Sequence, residues 1–158
     1  MKKDRHIKIL TFFILVSILM CLSYFVRDFV IARYNHFDLS VFTIDFVKNT
    51  GAAFSLFQTH TKVLVVISVL ILAAILYLII KNLEHLKYSD LILYSFPIAG
   101  VFCNLLERIL DGYVTDYIRM NHIAFPIFNL SDVFINVGAF MIICNILFNN
   151  ERQKRNQQ

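Results

Sequence analysis

Two aspartates, Asp116 and Asp132, lie just outside apolar segments, and each has amide or hydroxyl side chains close by in the sequence. Both belong to the stretch from Gly100 to Asn136, which also holds two further acids, two arginines, four asparagines and a histidine. Ionisable residues beside hydrocarbon are rare and usually mark a functional site. Any chemistry of this chain is therefore expected here.

Two carboxyl groups a few ångströms apart cannot both ionise, so they share a proton and titrate as a coupled pair. The ionised member can take a proton from water while the protonated member polarises a carbonyl group. Together they can hydrolyse an amide without a metal ion, a cofactor or a covalent intermediate. Asp116 and Asp132 are thus predicted to form the catalytic dyad of an aspartic endopeptidase.

Simpler structural interpretations stay open for each residue taken alone. Asn129 and Asp132 have the spacing of a helix start, with Asn129 as the N-cap and Asp132 in the first turn. Asp116 can be interpreted as an ordinary loop acid, and Glu107 can be interpreted as the ion-pair partner of its neighbour Arg108. None of these interpretations explains why so many polar residues gather in one stretch.

Other catalytic chemistries fit the sequence less well. The five histidines are scattered without zinc-binding spacing, no serine has a candidate base in a recognisable arrangement, and no glycine-rich phosphate loop occurs. The cysteines, Cys21, Cys103 and Cys144, all fall inside apolar segments, where small thiols usually serve as packing. The sequence therefore predicts neither a metal site nor a catalytic cysteine.

The composition is typical of a membrane protein. Of 158 residues, 58% are hydrophobic and only 16% are charged, and the mean hydropathy is +0.67, more apolar than a soluble domain. Four apolar runs approach the length needed to cross about 30 Å of hydrocarbon, namely about 9–26, 63–80, 91–106 and 133–148. We predict an all-α integral membrane protein with four transmembrane helices in one domain, 1–158, whose first helix is not a cleaved signal peptide.

The positions of the basic residues predict the topology. Nine of the fifteen precede the first helix, lie between the second and third, or follow the fourth. The positive-inside rule makes those regions and both termini cytoplasmic, which leaves the connections of about 27–62 and 107–131 outside. These charges serve as topology signals that can also contact anionic phospholipid, so no nucleic-acid partner is expected.

The two outer connections contain the elements that must position the aspartates. Weak alternation from Asp38 to Val47 predicts a short strand. Because a lone strand cannot keep open edges in lipid, we expect it to pair with Tyr113–Ile118 in a small β-cradle on the outer face. The following stretch, Lys48–Phe57, predicts a turn at Gly51 that leads into an interfacial helix.

Two polar stripes are predicted to meet near the outer face. Residues four apart share one face of a helix, and the third helix carries such a set in Gly100, Asn104 and Arg108. The start of the fourth helix carries a matching set in Asn129, Asp132 and Asn136. Gly100 is expected to allow the two helices to approach closely.

Three blocks of sequence together resemble the bacterial lipoprotein signal peptidases (signal peptidase II). Asn49–Ser55 is similar to the family's NxGAAFS block, and Gly100–Tyr117 is similar to its GxxxNLxDRxxxGxVxDF block. Phe125–Asp132, with Gly138 beyond it, is similar to its FPxFNxAD…G block. The order of the blocks and the predicted four-helix topology also agree.

The resemblance implies an activity and a set of site residues. The family removes signal peptides in the bacterial cell membrane by cutting just before a cysteine that carries diacylglycerol, so lipid-modified prolipoproteins are the implied partners and no cofactor is needed. Asp116 and Asp132 match the family's catalytic aspartates. Positions that line the site or bind substrate are matched by Asn49, Gly51, Gly100, Asn104, Arg108, Asn129 and Asn136.

The departures from the family pattern that matter lie at four positions near this site. Ser23 and Arg27 stand where the first helix usually carries an acid and a lysine, Glu107 replaces an aspartate, and Cys103 replaces a glycine. Both aspartates are retained, so the departures bear on stability, efficiency or substrate range. They also leave an alternative, a non-enzymatic paralogue that binds lipidated peptides.

A transporter subunit fits less well, since four helices without an internal repeat give little room for alternating access. A monomer is expected.

Overall fold

Four long helices dominate the computed structural model, which describes residues 2–34, 36–51 and 60–155. They are α1 (Lys2–Arg33), α2 (Thr61–Asn82), α3 (Tyr88–Leu110) and α4 (Leu130–Arg155). All four contain stretches long and apolar enough to cross a membrane. The predicted four-helix membrane fold is therefore confirmed.

Each helix extends beyond the apolar run that predicted it. The largest difference is in α1, which begins at Lys2 and ends at Arg33 instead of spanning about 9–26. A helix satisfies its backbone hydrogen bonds internally, so it can continue past the hydrocarbon into polar surroundings. Hydropathy therefore marks the apolar part of a helix and not its ends.

Contacts at one end of the bundle confirm that the helices alternate in direction. Lys8 Nζ, near the start of α1, donates to the carbonyl oxygens of Leu83 and Glu84 after α2, both at 3.4 Å. Asn145 Nδ2 of α4 donates to Asp90 Oδ1 at the start of α3, at 3.3 Å. The beginning of α1 and the latter part of α4 thus lie at the same end, with the α2–α3 connection between them.

A three-stranded antiparallel sheet forms at the opposite end, in the order β1 (His36–Asp38), β2 (Phe42–Asn49) and β3 (Val114–Met120). The predicted pairing of the two outer connections is confirmed, with boundaries shifted by a few residues. The short β1 was not predicted, because three residues are too few to show alternation. The predicted interfacial helix falls mostly on 52–59, outside the described residues.

One irregularity in the sheet affects the position of Asp116. Ile44 pairs with Ile118, but Val47 pairs with Asp116, so β2 carries one extra residue between the two pairs. Such a β-bulge bends a strand and redirects the side chains that follow it. It brings Asn49, the last residue of β2, to the end of β3 nearest Asp116.

The centre of the bundle is α3, which packs against the other three helices. Its approach to α4 depends on two glycines. A Cβ atom on Gly100 would lie 2.3 Å from the carbonyl oxygen of Ser131, and one on Gly138 would lie 2.3 Å from Pro97 Cδ. Either methyl group would force the helices apart, so the predicted close approach at Gly100 is confirmed.

Candidate active site

Asp116 is held by two side-chain amides from different parts of the chain. Its carboxyl group is buried on β3, with 2% of the residue exposed. Asn49 Nδ2 donates to Oδ2 at 2.8 Å, and Asn129 Nδ2 donates to Oδ1 at 2.9 Å. Each carboxyl oxygen therefore has a fixed donor, which restricts the rotation of the group.

Asn129 reaches Asp116 because the chain after β3 folds back along the strand. Phe128 forms an antiparallel bridge with Ile118, and Phe128 O accepts hydrogen bonds from the backbone N–H groups of Tyr117 and Ile118 at 3.0 and 2.8 Å. The next residue, Asn129, consequently lies beside Asp116.

Asp132 forms a reciprocal capping box with Asn129 at the start of α4. The backbone N–H of Asp132 donates to Asn129 Oδ1 at 2.9 Å, and the backbone N–H of Asn129 donates to Asp132 Oδ2 at 3.1 Å. This is the arrangement that stabilises helix starts, with an acid three residues after the N-cap. The predicted N-cap is thus confirmed, and the second of these bonds orients the carboxyl group of Asp132.

Asn104 of α3 connects the two halves of the site. Its Nδ2 donates to Asp132 Oδ1 at 2.8 Å, and its Oδ1 accepts from Asn129 Nδ2 at 3.3 Å. Asn129 in turn donates to Asp116. Both carboxyl groups therefore belong to one continuous network of amides, and the two predicted polar stripes do meet.

Arg108 fastens the end of β2 to α3. Its Nη2 donates to the carbonyl oxygen of Gly51 at 2.9 Å, and the Gly51 N–H donates to Asn49 Oδ1 at 2.9 Å. Arg108 thus helps to orient Asn49, which holds Asp116. The buried Arg108 Nε has no hydrogen-bond partner within the described residues.

Glu107 does not pair with Arg108, so that structural alternative is wrong. Glu107 Oε1 lies 3.3 Å from Arg27 Nη1 of α1, and Oε2 accepts the backbone N–H of Thr115 at 2.7 Å. Adjacent residues of a helix point in different directions. Arg108 therefore faces the site while Glu107 faces α1.

A cavity of about 130 Å³ opens between the two aspartates and the chain that follows β3. One water needs about 10–15 Å³ of the same kind of volume, so the cavity has room for a peptide group together with a water. Its lining contains six of the nine predicted site residues, namely Asn49, Asn104, Arg108, Asp116, Asp132 and Asn136. The other three act beside it: Gly51 accepts from Arg108, Asn129 joins the carboxyl groups, and Gly100 packs against α4.

The apolar wall of the cavity was not among the predicted site residues. It consists of Val114 and the run Phe125–Phe128. The sequence contained one signal for this wall, because the run immediately precedes Asn129 inside the Phe125–Asp132 block. Within the described residues, no three histidine, cysteine or acidic side chains are grouped so as to hold a metal ion.

The surroundings of Asp116 favour its protonated form. Burial, and after it the negative charge of Asp132, raises the pKa of Asp116 to about 7. Hydrogen bonds from Asn49 and Asn129 and the positive charge of Arg108 oppose this rise. An ordinary aspartate has a pKa of about 4, so Asp116 can keep a proton at pH values where exposed carboxyl groups have lost theirs.

This pKa predicts how stability depends on pH. Because the pKa of Asp116 is higher in the folded than in the unfolded state, the folded protein binds more protons between pH values of about 4 and 7. Its contribution to stability is present below that range and is lost as pH rises through about 7. Thermal unfolding in detergent across this range will show the loss. The Asp116→Asn variant should lack it, and identical pH profiles for the two proteins would contradict the prediction.

The family model for Signal peptidase (SPase) II matches residues 4–148, which is nearly the whole chain and includes most or all of every helix and strand described above. The chain belongs to the signal peptidase II family. Its lipoprotein-processing proteases include lipoprotein signal peptidases from Fusobacterium nucleatum, 31% identical over 72% of this chain and 68% of the relative, and from Microcystis aeruginosa, 40% identical over 68% and 66%.

Two solved structures of bacterial membrane enzymes share this fold. The fold matches a bacterial membrane enzyme determined by the in meso method at 2.3 Å resolution, with a TM-score of 0.79 and 25% identity over 90% of both chains. A second bacterial membrane enzyme, at 1.9 Å resolution, matches with a TM-score of 0.74 and 25% identity, over 87% of this chain and 92% of the other.

Proposed function

We propose that this member of the signal peptidase II family is a membrane aspartic endopeptidase that removes the signal peptide from diacylglyceryl-modified prolipoproteins, cutting just before the lipidated cysteine. One observation carries the proposal: two carboxyl groups line the same small cavity, and a single amide network holds both. Membership of the family and the name of its relatives support the choice of substrate.

The surroundings of the two aspartates suggest different roles. Asp132 lies in the first turn of α4 and accepts hydrogen bonds from a backbone N–H and an amide, and the positive end of the helix dipole favours a negative charge there. Asp116 keeps a proton up to a pH of about 7. We therefore assign Asp132 as the base that activates water and Asp116 as the acid that polarises the scissile carbonyl.

These roles give a balanced sequence of proton transfers. Asp132 takes a proton from water as the oxygen bonds to the carbonyl carbon, and Asp116 gives its proton to the carbonyl oxygen. The C–N bond then breaks as Asp132 returns its proton to the leaving nitrogen, while Asp116 recovers a proton from the intermediate's hydroxyl group. Both aspartates return to their starting protonation states. The products are the signal peptide and the lipoprotein, whose lipidated cysteine now has a free amino group.

The remaining predicted residues serve substrate and geometry in this proposal. Arg108 presents its unpartnered Nε, and a buried donor of this kind suits a peptide carbonyl. Asn136 donates to the carbonyl oxygen of Asp132 at 2.8 Å and lines the cavity. Asn49, Asn104 and Asn129 hold the carboxyl groups, Gly51 anchors Arg108, and Gly100 sets the spacing between α3 and α4.

The position of the cavity suits a substrate that is part peptide and part lipid. It lies where α3 ends and α4 begins, beside the sheet. There the scissile amide can meet water while acyl chains stay in hydrocarbon. With the basic ends of the chain in the cytoplasm, the site faces the outer surface of the bacterial cell membrane, where a monomer surrounded by phospholipid would act.

Cleavage can be tested with purified protein and a synthetic diacylglyceryl prolipoprotein peptide, in detergent or vesicles and with a metal chelator present. We expect release of the signal peptide, and little cleavage of the same peptide without its lipid. The alternative, a paralogue that only binds lipidated peptides, rests on the departure at Ser23. Saturable binding of the lipidated peptide with no product at any pH would favour that alternative and overturn the proposal.

The pH dependence of the rate should follow Asp116. As pH rises above about 7, Asp116 loses the proton that polarises the carbonyl, so kcat/KM should decline. Initial rates at fixed ionic strength between about pH 5 and 9 would measure this fall around the pKa of the acid. A peptide without titratable side chains excludes effects of the substrate. A rate that keeps rising up to pH 9 would contradict Asp116 as the acid.

A further inference from the structure

The outer turn of α1 contacts the residue that precedes Asp132. Ser23 Oγ lies 2.7 Å from Ser131 Oγ, a hydrogen bond between α1 and α4. The two serines are only 5% and 2% exposed, so water does not replace the bond. Ser131 is adjacent to Asp132 in the first turn of α4, and a movement of Ser131 would move Asp132 with it.

One helical turn later, Arg27 is connected to the residue that precedes Asp116. Arg27 Nη1 lies 3.3 Å from Glu107 Oε1. Glu107 Oε2 in turn accepts the backbone N–H of Thr115, the residue before Asp116, at 2.7 Å. Glu107 is 5% exposed and Thr115 is 6% exposed. Glu107 therefore links Arg27 on α1 to the backbone of β3.

Arg27 is itself held in place by its own helix. Its Nε and Nη2 donate to Asp28 Oδ1 at 2.9 and 2.8 Å, and its guanidinium lies over the ring of Tyr24, 4.7 Å from the centroid. A side chain fixed on three sides can transmit the position of α1 to Glu107. Ser23 and Arg27 are four residues apart and therefore share one face of α1.

We propose that this turn of α1 is a clamp that sets the distance between the two aspartates, with Ser23 and Arg27 as its positioning residues. Neither touches a carboxyl group. Ser23 fixes the backbone beside Asp132, and Arg27, through Glu107, fixes the backbone beside Asp116. A dyad shares one proton only at a separation of a few ångströms, and displacements of about 1 Å can lower rates by about a hundredfold.

The test compares Ser23→Ala and Arg27→Met with a matched variant at the other end of α1. Lys8 is also buried, at 7% exposed, and fastens α1 to carbonyl oxygens after α2, far from the dyad. We expect the two clamp variants to lower kcat about tenfold or more with little change in KM. Lys8→Met should lower the unfolding temperature while kcat stays near the wild-type value.

A second readout does not need cleavage. The infrared carboxyl band of protonated Asp116, identified by its loss in Asp116→Asn, can be titrated in detergent. The charged groups facing Asp116 are Asp132 and Arg108, and the variants change neither. We expect the titration midpoint to move in the Ser23 and Arg27 variants and to stay unchanged in Lys8→Met.

Two substitutions separate the clamp from a simple ion pair. Arg27→Lys keeps the charge and should retain most of kcat. Exchanging the pair, Arg27→Glu with Glu107→Arg, restores the attraction but offers Thr115 no acceptor, so it should stay slow. Recovery of the full rate by the exchanged pair would overturn the link through Thr115.

The kinetic test of the clamp rests on the proposed function, whereas the infrared titration does not. If the wild-type protein cleaves nothing, the proposed function fails and the infrared titration alone decides the clamp. The clamp would be overturned if Ser23→Ala and Arg27→Met left both kcat and the titration midpoint of Asp116 unchanged. It would also be overturned if Lys8→Met changed kcat and this midpoint as much as the clamp variants do.

Discussion

Replacing either aspartate with asparagine should abolish cleavage, with kcat/KM falling by about a thousandfold or more, because residues that act as one catalytic unit fail together. Asparagine keeps the size of the side chain but can neither take a proton from water nor share one. Single-turnover cleavage of the lipidated peptide by Asp116→Asn and Asp132→Asn would measure the loss, and both variants should still bind the peptide.

Asp111→Asn is the matched control for these two variants. Asp111 is an exposed acid at the C-terminal end of α3, close in sequence to Asp116 but outside the cavity lining. Its replacement makes the same chemical change, carboxyl to amide, in the same region, and the rate should stay near that of the wild type. Full activity in either asparagine variant of the dyad would show that the roles assigned here are wrong.

Gly100→Ala should be strongly damaging although Gly100 has no chemistry of its own. The added Cβ would lie 2.3 Å from the Ser131 carbonyl oxygen and 2.8 Å from Ile135 Cγ1, so α3 and α4 must separate. Overpacking usually costs about 1–3 kcal/mol of stability, and a backbone oxygen cannot move aside as a flexible side chain can. The separation also stretches the hydrogen bond from Asn104 to Asp132, so the rate should fall at temperatures where the protein remains folded.

Thermal unfolding and the cleavage rate, measured on the same preparation, would test this prediction. Ala139→Val provides the control, because Ala139 lies next to the tightly packed Gly138 but is exposed on α4. It adds more volume than Gly100→Ala and should change neither quantity much. Wild-type stability in Gly100→Ala would mean that the helices tolerate separation and that their close approach does not position Asp132.

Much of the architecture follows from sequence because membrane helices and their caps are local features. Apolar runs show the four helices, since backbone groups in hydrocarbon must be satisfied within the segment. The pairing of β2 with β3 could be predicted because a lone strand beside lipid needs a partner. Asn129 and Asp132 could be recognised as a helix start from their spacing alone.

Long-range contacts could not be predicted in the same way. The partner of Glu107 depends on which face of α3 meets α1, and the neighbouring Arg108 was the nearer candidate in sequence. The contact between Asn129 and Asp116 depends on the chain folding back along β3, which no periodicity shows. The amide network could therefore be located in the chain but not drawn bond by bond.

The structure explains some of the departures from the family pattern by the contacts that these residues make. Ser23, in place of an acid, hydrogen-bonds Ser131, which itself stands where the family block has alanine. Arg27, in place of lysine, pairs with Glu107, and the longer glutamate also reaches the Thr115 N–H. Cys103, in place of a glycine, is completely buried in α3, and its side chain hydrogen-bonds those of Ser131 and Ser23.

The capping box at the start of α4 has a consequence for inhibitors. One of the two hydrogen bonds that begin the helix, from the Asn129 N–H, also holds the carboxyl group of Asp132. A substitution that turned this carboxyl group away from a bound inhibitor would also break its bond from the Asn129 N–H, which is half of the capping box. Resistance to a compound that binds Asp132 should therefore arise mainly at the apolar wall of the cavity, where side chains can change without unwinding a helix.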